Sequence, residues 1–408
     1  MCNYSVLYVN RAVECIWFYK VKEAEDRKGM LKKQLFIVFV VEHYNPLGMI
    51  RSLGEHGIRP VAIVLRGKYR LTSKSRYISQ LHMVDTIEEG YHILISQYGR
   101  AGGAKPFVLT ANDQITSYLD LRFDELKDRF RFFNAGSAGR VTYFMNKEHI
   151  GRLAVKHGLN VLRTFVVNRG EIPEEIEYPV ITKAIISTIP GWKDNVFICH
   201  NEEELKAAYA RMEIETVLLQ TYIVKKNELC MEGFSASKGS KMFIAIASGY
   251  DYLLADRYSP YMTIRNFNNQ DLQEKLRAML IEIGFEGIYE IEFLVAEDST
   301  LYFSEINFRN STWSYAATKA GMPLPVLWAE GMTDETVFET CYKVIPDGFH
   351  AMVEIADFIE RVRGKKTGLC QWIMDLVKCR CLYYFNIRDL MPVISMIWGR
   401  IKYLHRQG

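Results

Sequence analysis

Two unbroken apolar runs with a helical stretch between them constrain this chain more than any other feature. Residues 35–41 and 60–65 show no polar alternation, as strands buried on both faces of a parallel sheet require. Residues 49–56 have helical spacing and stop at Gly57. A strand–helix–strand unit of about 30 residues is the repeating piece of a doubly wound sheet. A helix-like stretch at 87–98 and the run 107–109 continue the alternation. Residues 33–140 are therefore expected to form a small α/β domain. The turn from Asn45 to Gly48 is not GxGxxG and no P-loop occurs, which disfavours a Rossmann-type dinucleotide site. Crevices at the carboxyl ends of such strands still bind ligands.

At 408 residues the chain exceeds one ordinary core, so further units are expected. Its 49% hydrophobic and 24% charged residues are those of a soluble globular protein, and no segment has the ~18 unbroken apolar residues of a membrane helix. A net charge of +3 is too small for a dedicated nucleic-acid binder. The eight cysteines are scattered and form no CxxC pair. Free thiols in a reducing compartment, hence a cytoplasmic setting, are expected. Residues 1–32 form a poorly patterned extension without the marks of a secretory signal, and Met30 could be the true start.

From Asn146 to His157 apolar residues recur three or four apart, and Gly158 stops the helix. Strands are expected at 161–167, 179–185, 217–223, 242–247, 288–295 and 301–306, with helices at 202–212 and 269–283. This order suggests α+β layers for 141–332, while 333–408 reads as largely helical. The polar link between 288–295 and 301–307 marks a hairpin. Alternation puts Glu290, Glu292 and Leu294 on one face, and Phe303, Glu305 and Asn307 on one face of the returning strand. If the polar faces coincide, Glu292, Glu305 and Asn307 converge inside an apolar sheet. Carboxylates so placed take up a proton unless a cation intervenes. Oxygen-only ligands favour Mg²⁺. An exposed face of solvated glutamates would show the same alternation.

The hairpin closes on Glu305-Ile-Asn307-Phe-Arg309, which resembles the E-x-N-x-R element of ATP-grasp ligases, with Phe308 where relatives usually carry proline. Other pieces resemble that family in the same order. Asn146-Lys147 opens a helix as the family's "DK" does, and Tyr178-Pro-Val-Ile-Thr-Lys183 is similar to "[FY]PV[IV]xK". Residues 185–195 resemble the small-residue loop that closes over phosphates, with Ser187, Thr188, Gly191 and Lys193. Residues 217–223 resemble the strand and hinge that clasp adenine, and Glu228 falls where an acidic residue often binds ribose. The opening at 46–57 is similar to carboxylate–amine ligases such as the D-aspartate ligase group, whose relatives include carbamoyl-phosphate synthase and D-alanine–D-alanine ligase. The likeness spans about residues 33–332. Residue by residue, simpler readings stay open. Lys183 could extend to solvent, residues 217–223 could be an ordinary buried strand, and the loop a surface turn.

The resemblance implies an ATP-grasp fold with a pre-ATP-grasp α/β domain at 33–140, an ATP-grasp domain at 141–332 and a helical C-terminal region at 333–408. It implies ATP on Lys147, Lys183, Gln220, Glu228 and the backbone of Thr221, Tyr222 and Ile223. Glu292, Glu305 and Asn307 would bind two Mg²⁺ ions, with Mn²⁺ able to substitute. Arg309 and Lys193 would act at the transferred phosphate. The implied reaction joins a small-molecule carboxylate to an amine, for instance an amino acid in cell-wall or peptide modification. Phe308 and the unusual loop motivate a rival, a catalytically inactive ATP-binding module. Asn45 and Arg265 are candidate acceptor contacts, whereas His43 and His149 lack triad partners and read as ordinary polar residues. The tail mixes apolar, aromatic and basic residues, which could dock on the enzyme core or lie on an anionic membrane, making the protein membrane-peripheral.

Overall fold

The computed structural model describes residues 29, 31–67, 70–100, 103–186, 188, 191–254 and 258–405. The extension at 1–32 therefore lies almost wholly outside the described residues, as do Met30 and Ser187.

The apolar runs form the parallel sheet that their patterning requires. Strands β1 (Phe36–Val41), β2 (Val61–Leu65), β3 (Gln80–Val84), β4 (Phe107–Thr110) and β5 (Arg131–Phe132) lie in the order β3-β2-β1-β4-β5, all parallel. Alternate residues of β1 serve two cores. Phe36, Val38 and Val40 pack towards the helix Tyr44–Glu55, and Ile37 and Phe39 towards Asp113–Asp120. The Asn45–Gly48 turn is a helix start: His43 caps it, its Nδ1 accepting from the Asn45 N–H at 3.2 Å. Pro46 costs nothing there, because N–H groups of a first helical turn have no intrahelical partner.

A second sheet combines β6 (Thr164–Asn168), β7 (Val180–Ala184), β8 (Ile198–Cys199) and β9 (Thr216–Thr221) in the antiparallel order β6-β9-β7-β8. Val180, Val217 and Leu219 pack with Leu205 and Ala208 of the helix Glu202–Tyr209.

The third sheet holds β10 (Lys225–Ala236), β11 (Lys241–Tyr250), β12 (Tyr261–Arg265), β13 (Gly287–Ala296), β14 (Leu301–Asn307), β15 (Phe349–Met352) and β16 (Cys381–Leu382). Its order is β14-β13-β10-β11-β12-β15-β16, antiparallel except for the last pair. Strand β10 was not expected: its charged residues hide a strand that is hydrogen-bonded on both edges. The region after 332 carries helices and also supplies β15 and β16, short strands that its aromatic and basic composition conceals.

Between β13 and β14 the register pairs Glu290 with Asn307 and Glu292 with Glu305, then shifts so that Phe293 faces Phe303. The extra residue, Ser304, is a bulge that strict alternation does not foresee. It corrects the expectation that Phe303 shares a face with Glu305. Phe303 is buried, with its ring 5.6 Å from that of Phe293.

Six cysteines among the described residues are free. No helix among the described residues is long and apolar enough to cross a membrane.

Candidate active site

A carboxylate face is assembled from three neighbouring strands. In register, β10 sets Cys230 opposite Glu292 and Glu232 opposite Glu290, and β14 sets Glu305 and Asn307 on the far side. Asn307 organises the centre: its Nδ2 donates to Glu290 at 3.0 Å and to Glu292 at 2.8 Å. Its Oδ1 accepts from Arg309 Nη2 at 3.0 Å. Glu232, fully buried, accepts hydrogen bonds from the Ser311 and Ser314 hydroxyls.

The cations arrive from the flanks. Lys147 begins the helix Lys147–Lys156, where the Asn146 side chain caps the Glu148 and His149 N–H groups. The Lys147 ammonium ion-pairs with Glu305. Lys183, on β7, donates to Gln220 Oε1 at 2.8 Å, and Gln220 donates to Thr164 Oγ1 at 3.2 Å. Arg309 donates from Nε to Asp113 at 2.6 Å, tying the carboxylate face to the first residue of a helix on the parallel sheet.

Burial and charge set the protonation pattern. Burial first, then the neighbouring Glu290 and Glu305, push Glu292 well above the usual carboxylate range. Burial and Glu232 do the same to Glu290. Burial also acts on Glu305, but the Lys147 charge and hydrogen bond overcome it and hold this carboxyl low. Lys147 itself is disfavoured by burial, yet Glu305 raises it. Lys183, buried and beside Lys147, is pushed down to about 8. Burial opposes the Arg309 charge, and Asp113 and Glu290 outweigh it.

The placement of other expected residues is mixed. Glu228 is buried on β10 and paired with Lys225. The N–H groups of Thr221 and Tyr222 are engaged by the carbonyls of Arg163 and Pro179, each at 2.9 Å. Those two N–H groups are thus satisfied within the chain, and their carbonyls remain for other partners. The backbone of Lys193 lies in the short turn Trp192–Asn195, and its side chain lies outside the described residues. The preceding loop touches the first sheet's helix, with Gln114 donating to the Thr188 carbonyl at 3.1 Å. Asn45 is a packing residue, bonded to Asn310 and Ala111, and Arg265 is exposed at the end of β12.

Sequence reading missed Glu232, Asp113 and Tyr258. Tyr258 is 49% exposed, yet the Glu292 charge and then burial hold its phenol well above its ordinary value. Glu290 was legible in the alternation, although its contact with Asn307 was not. A cavity of about 460 Å³ adjoins the cations, with Lys147, Lys183, Gln220, Thr164 and Phe303 in its wall.

Among the described residues no three His, Cys, Asp or Glu side chains form a metal-holding group on their own. Glu292 and Glu305 nonetheless face one another across two strands, with Asn307 bonded beside them to Glu292. Mg²⁺ is usually held by one or two carboxylates together with substrate phosphates, and a partial oxygen set of this kind fits that habit.

No protein-family model and no curated protein matches the sequence. Solved structures do match. An L-amino acid ligase from Bacillus licheniformis is 11% identical with a TM-score of 0.59, covering 76% of this chain and 78% of that one. N5-carboxyaminoimidazole synthetase from Staphylococcus aureus, solved with ADP, is 13% identical with a TM-score of 0.56, over 74% of this chain and 79% of that one. The biotin carboxylase domain of Hydrogenobacter thermophilus 2-oxoglutarate carboxylase, solved with MgADP, ADP and bicarbonate, is 18% identical with a TM-score of 0.56. That match covers 73% of this chain and 70% of the domain. At such identities the likeness establishes a shared architecture.

Proposed function

We propose, from the ATP-grasp fold that this chain has, that it is an ADP-forming carboxylate–amine ligase. A substrate carboxylate oxygen would attack the γ-phosphorus of ATP and expel ADP. The amine would then attack the acyl carbon, lose a proton and release phosphate. The names of the L-amino acid ligase and the synthetase above support this reading.

The observation that carries it is the charge arrangement: the half-buried Lys147, Lys183 and Arg309 surround the buried Glu290, Glu292 and Asn307 and the half-buried Glu305. Chemistry of this kind needs positioning and charge neutralisation more than a nucleophilic side chain. Lys147 and Lys183 would neutralise phosphate oxygens, and Lys193 would join them from the loop. Gln220 would hold Lys183 in place, while Glu228 and the Ile223 backbone would meet the nucleoside. Arg309, fixed by Asp113, would stand at the acyl phosphate. Glu292, Glu305 and Asn307 would hold Mg²⁺, as a pair of ions or with Mn²⁺ in its stead. That metal neutralises charge on the phosphates. Free thiols and ATP as substrate favour a cytoplasmic setting. We assign 33–140 as the pre-ATP-grasp domain, 141–332 as the nucleotide domain and 333–408 as the C-terminal region.

Phe308, one motive for an inactive module, is a buried core residue with its ring 4.9 Å from that of Phe285. Its packing gives no reason to expect lost chemistry. The deciding experiment is ADP release with Mg²⁺ and a panel of carboxylates and amines. Turnover is expected only when both substrates are present, with Glu305→Gln at least ~100-fold slower. Nucleotide binding without ADP under every pairing would support the inactive module, and full activity in Glu305→Gln would remove the metal assignment.

A further inference from the structure

The helix Leu369–Lys378 turns an apolar stripe outward, although its inner side also packs the Trp372 ring against Phe358 at 5.2 Å. Its inner side makes polar contacts: Trp372 Nε1 donates to the buried Asp357 at 2.8 Å, and Asp375 accepts from Arg361 at 2.7 Å. Its outer side carries Leu369, Cys370, Ile373, Met374 and Val377, all exposed, with Val377 at 79%. At 100° per residue these five span roughly 140° of the helix surface with no polar residue among them. None of the helix's ten residues is buried against the described part of the chain.

The exposed charges of residues 363–398 have one sign; outside that stretch, Glu360 lies 4.0 Å from Lys366 and Asp251 is paired with His350. Between residues 363 and 398 the exposed charged residues are Arg363, Lys365, Lys366, Lys378, Arg380 and Arg388. The two acids in that stretch are turned inward, Asp375 to Arg361 and the buried Asp389 to Arg51. A second copy of this chain would bring the same cations to the contact, and a nucleic acid would leave the apolar stripe unsatisfied. A surface with anionic headgroups over an apolar layer satisfies both the stripe and the cations.

We infer that the outer face of the helix Leu369–Lys378 docks on an anionic membrane surface. The apolar stripe enters the headgroup boundary while the flanking lysines and arginines meet lipid phosphates. The helix lies on the membrane without crossing it. Because Asp357 also accepts from Tyr252 at 2.8 Å, the docking helix is bonded to the β11–β12 segment that carries Tyr258.

Deleting the tail is a poor test, since it would remove β16 and the buried Asp389 partner of Arg51. The full chain should instead be co-sedimented with vesicles of phosphatidylcholine alone and of phosphatidylcholine mixed with phosphatidylglycerol. Binding is expected only to the anionic vesicles, weakening as salt is raised. Ile373→Gln with Val377→Gln should lower the partition coefficient about tenfold or more, and so should Lys378→Glu with Arg380→Glu. All four side chains are exposed, so thermal unfolding should be unchanged and the loss cannot be misfolding. No sedimentation with anionic vesicles, or equal sedimentation of both variants and the parent, overturns the inference. A dimer in sedimentation equilibrium that Ile373→Gln with Val377→Gln converts to monomer also overturns it, assigning the face to a second copy.

Discussion

Lys183 sits in an unusual balance. Burial and Lys147 lower it to about 8 from an ordinary 10.5, so the folded chain without nucleotide holds this proton weakly. A phosphate arriving beside the ammonium reverses that balance. Nucleotide binding just above pH 8 is therefore expected to take up a proton, seen as a binding enthalpy that varies with the buffer's ionisation enthalpy. The same balance separates function from packing. Lys183→Met removes a cation that folding disfavours, so the midpoint of thermal unfolding at neutral pH should hold or rise. Nucleotide affinity should fall ~10- to 100-fold, the worth of a hydrogen bond to a charged group. A variant that loses stability and affinity together would mark Lys183 as structural. Asn307 makes the complementary case, because its one amide donates to both Glu290 and Glu292. Asn307→Leu removes the amide donor from both carboxyls, and a loss of ~1–3 kcal/mol in chemical unfolding is expected.

The β13–β14 hairpin shows how far pattern reading reaches at the scale of an element. Alternation put Glu292 and Glu305 on polar faces that converge only if the two faces coincide, and the register does set them opposite one another. The Ser304 bulge escaped it, since an extra residue leaves no mark in composition. Strand β10 escaped for a different reason. Its glutamates are buried by pairing to neighbouring strands and by Ser311 and Ser314, contacts made by residues far away in sequence. The cost of that face is testable through pH. Glu290 and Glu292 bind protons more tightly folded than at the ordinary 4.5, so their contribution is complete below 4.5 and lost as pH rises through the folded values. Without nucleotide, stability should therefore decline from pH 4.5 towards neutrality, and Glu290→Gln should flatten that decline. An identical slope in the variant would mean that other groups control it. Mg²⁺ with ATP should recover part of the loss at neutral pH, since ligands that bind only the folded state stabilise it.

At the scale of the molecule, the C-terminal region is a strap that returns to the first helix. Arg51, fully buried on the helix Tyr44–Glu55, donates to Asp389 at 3.0 Å and to the Tyr383 carbonyl at 2.8 Å. Asp389 also accepts from Ser75 Oγ and the Arg76 N–H, each at 2.9 Å. Glu354 takes the N–H groups of Tyr383, Tyr384 and Phe385, so one carboxylate fixes the turn after β16. Composition announced helices and basic residues here; the 338-residue separation between Arg51 and Asp389 kept their pairing out of reach. The covalent link through Lys365 and Lys366 is exposed, and Lys365 holds a left-handed φ of 57° in a tight turn. Trypsin should therefore nick there first among the described sites of this region, and the fragment beyond should stay bound during gel filtration. Arg51→Ala leaves Asp389 buried without its counter-ion, a penalty of ~3–5 kcal/mol. In that variant the nicked fragment should elute separately. If it separates from the parent chain as well, neither β16 and the buried pair nor the contacts of Trp372 with Asp357 and of Asp375 with Arg361 hold the strap.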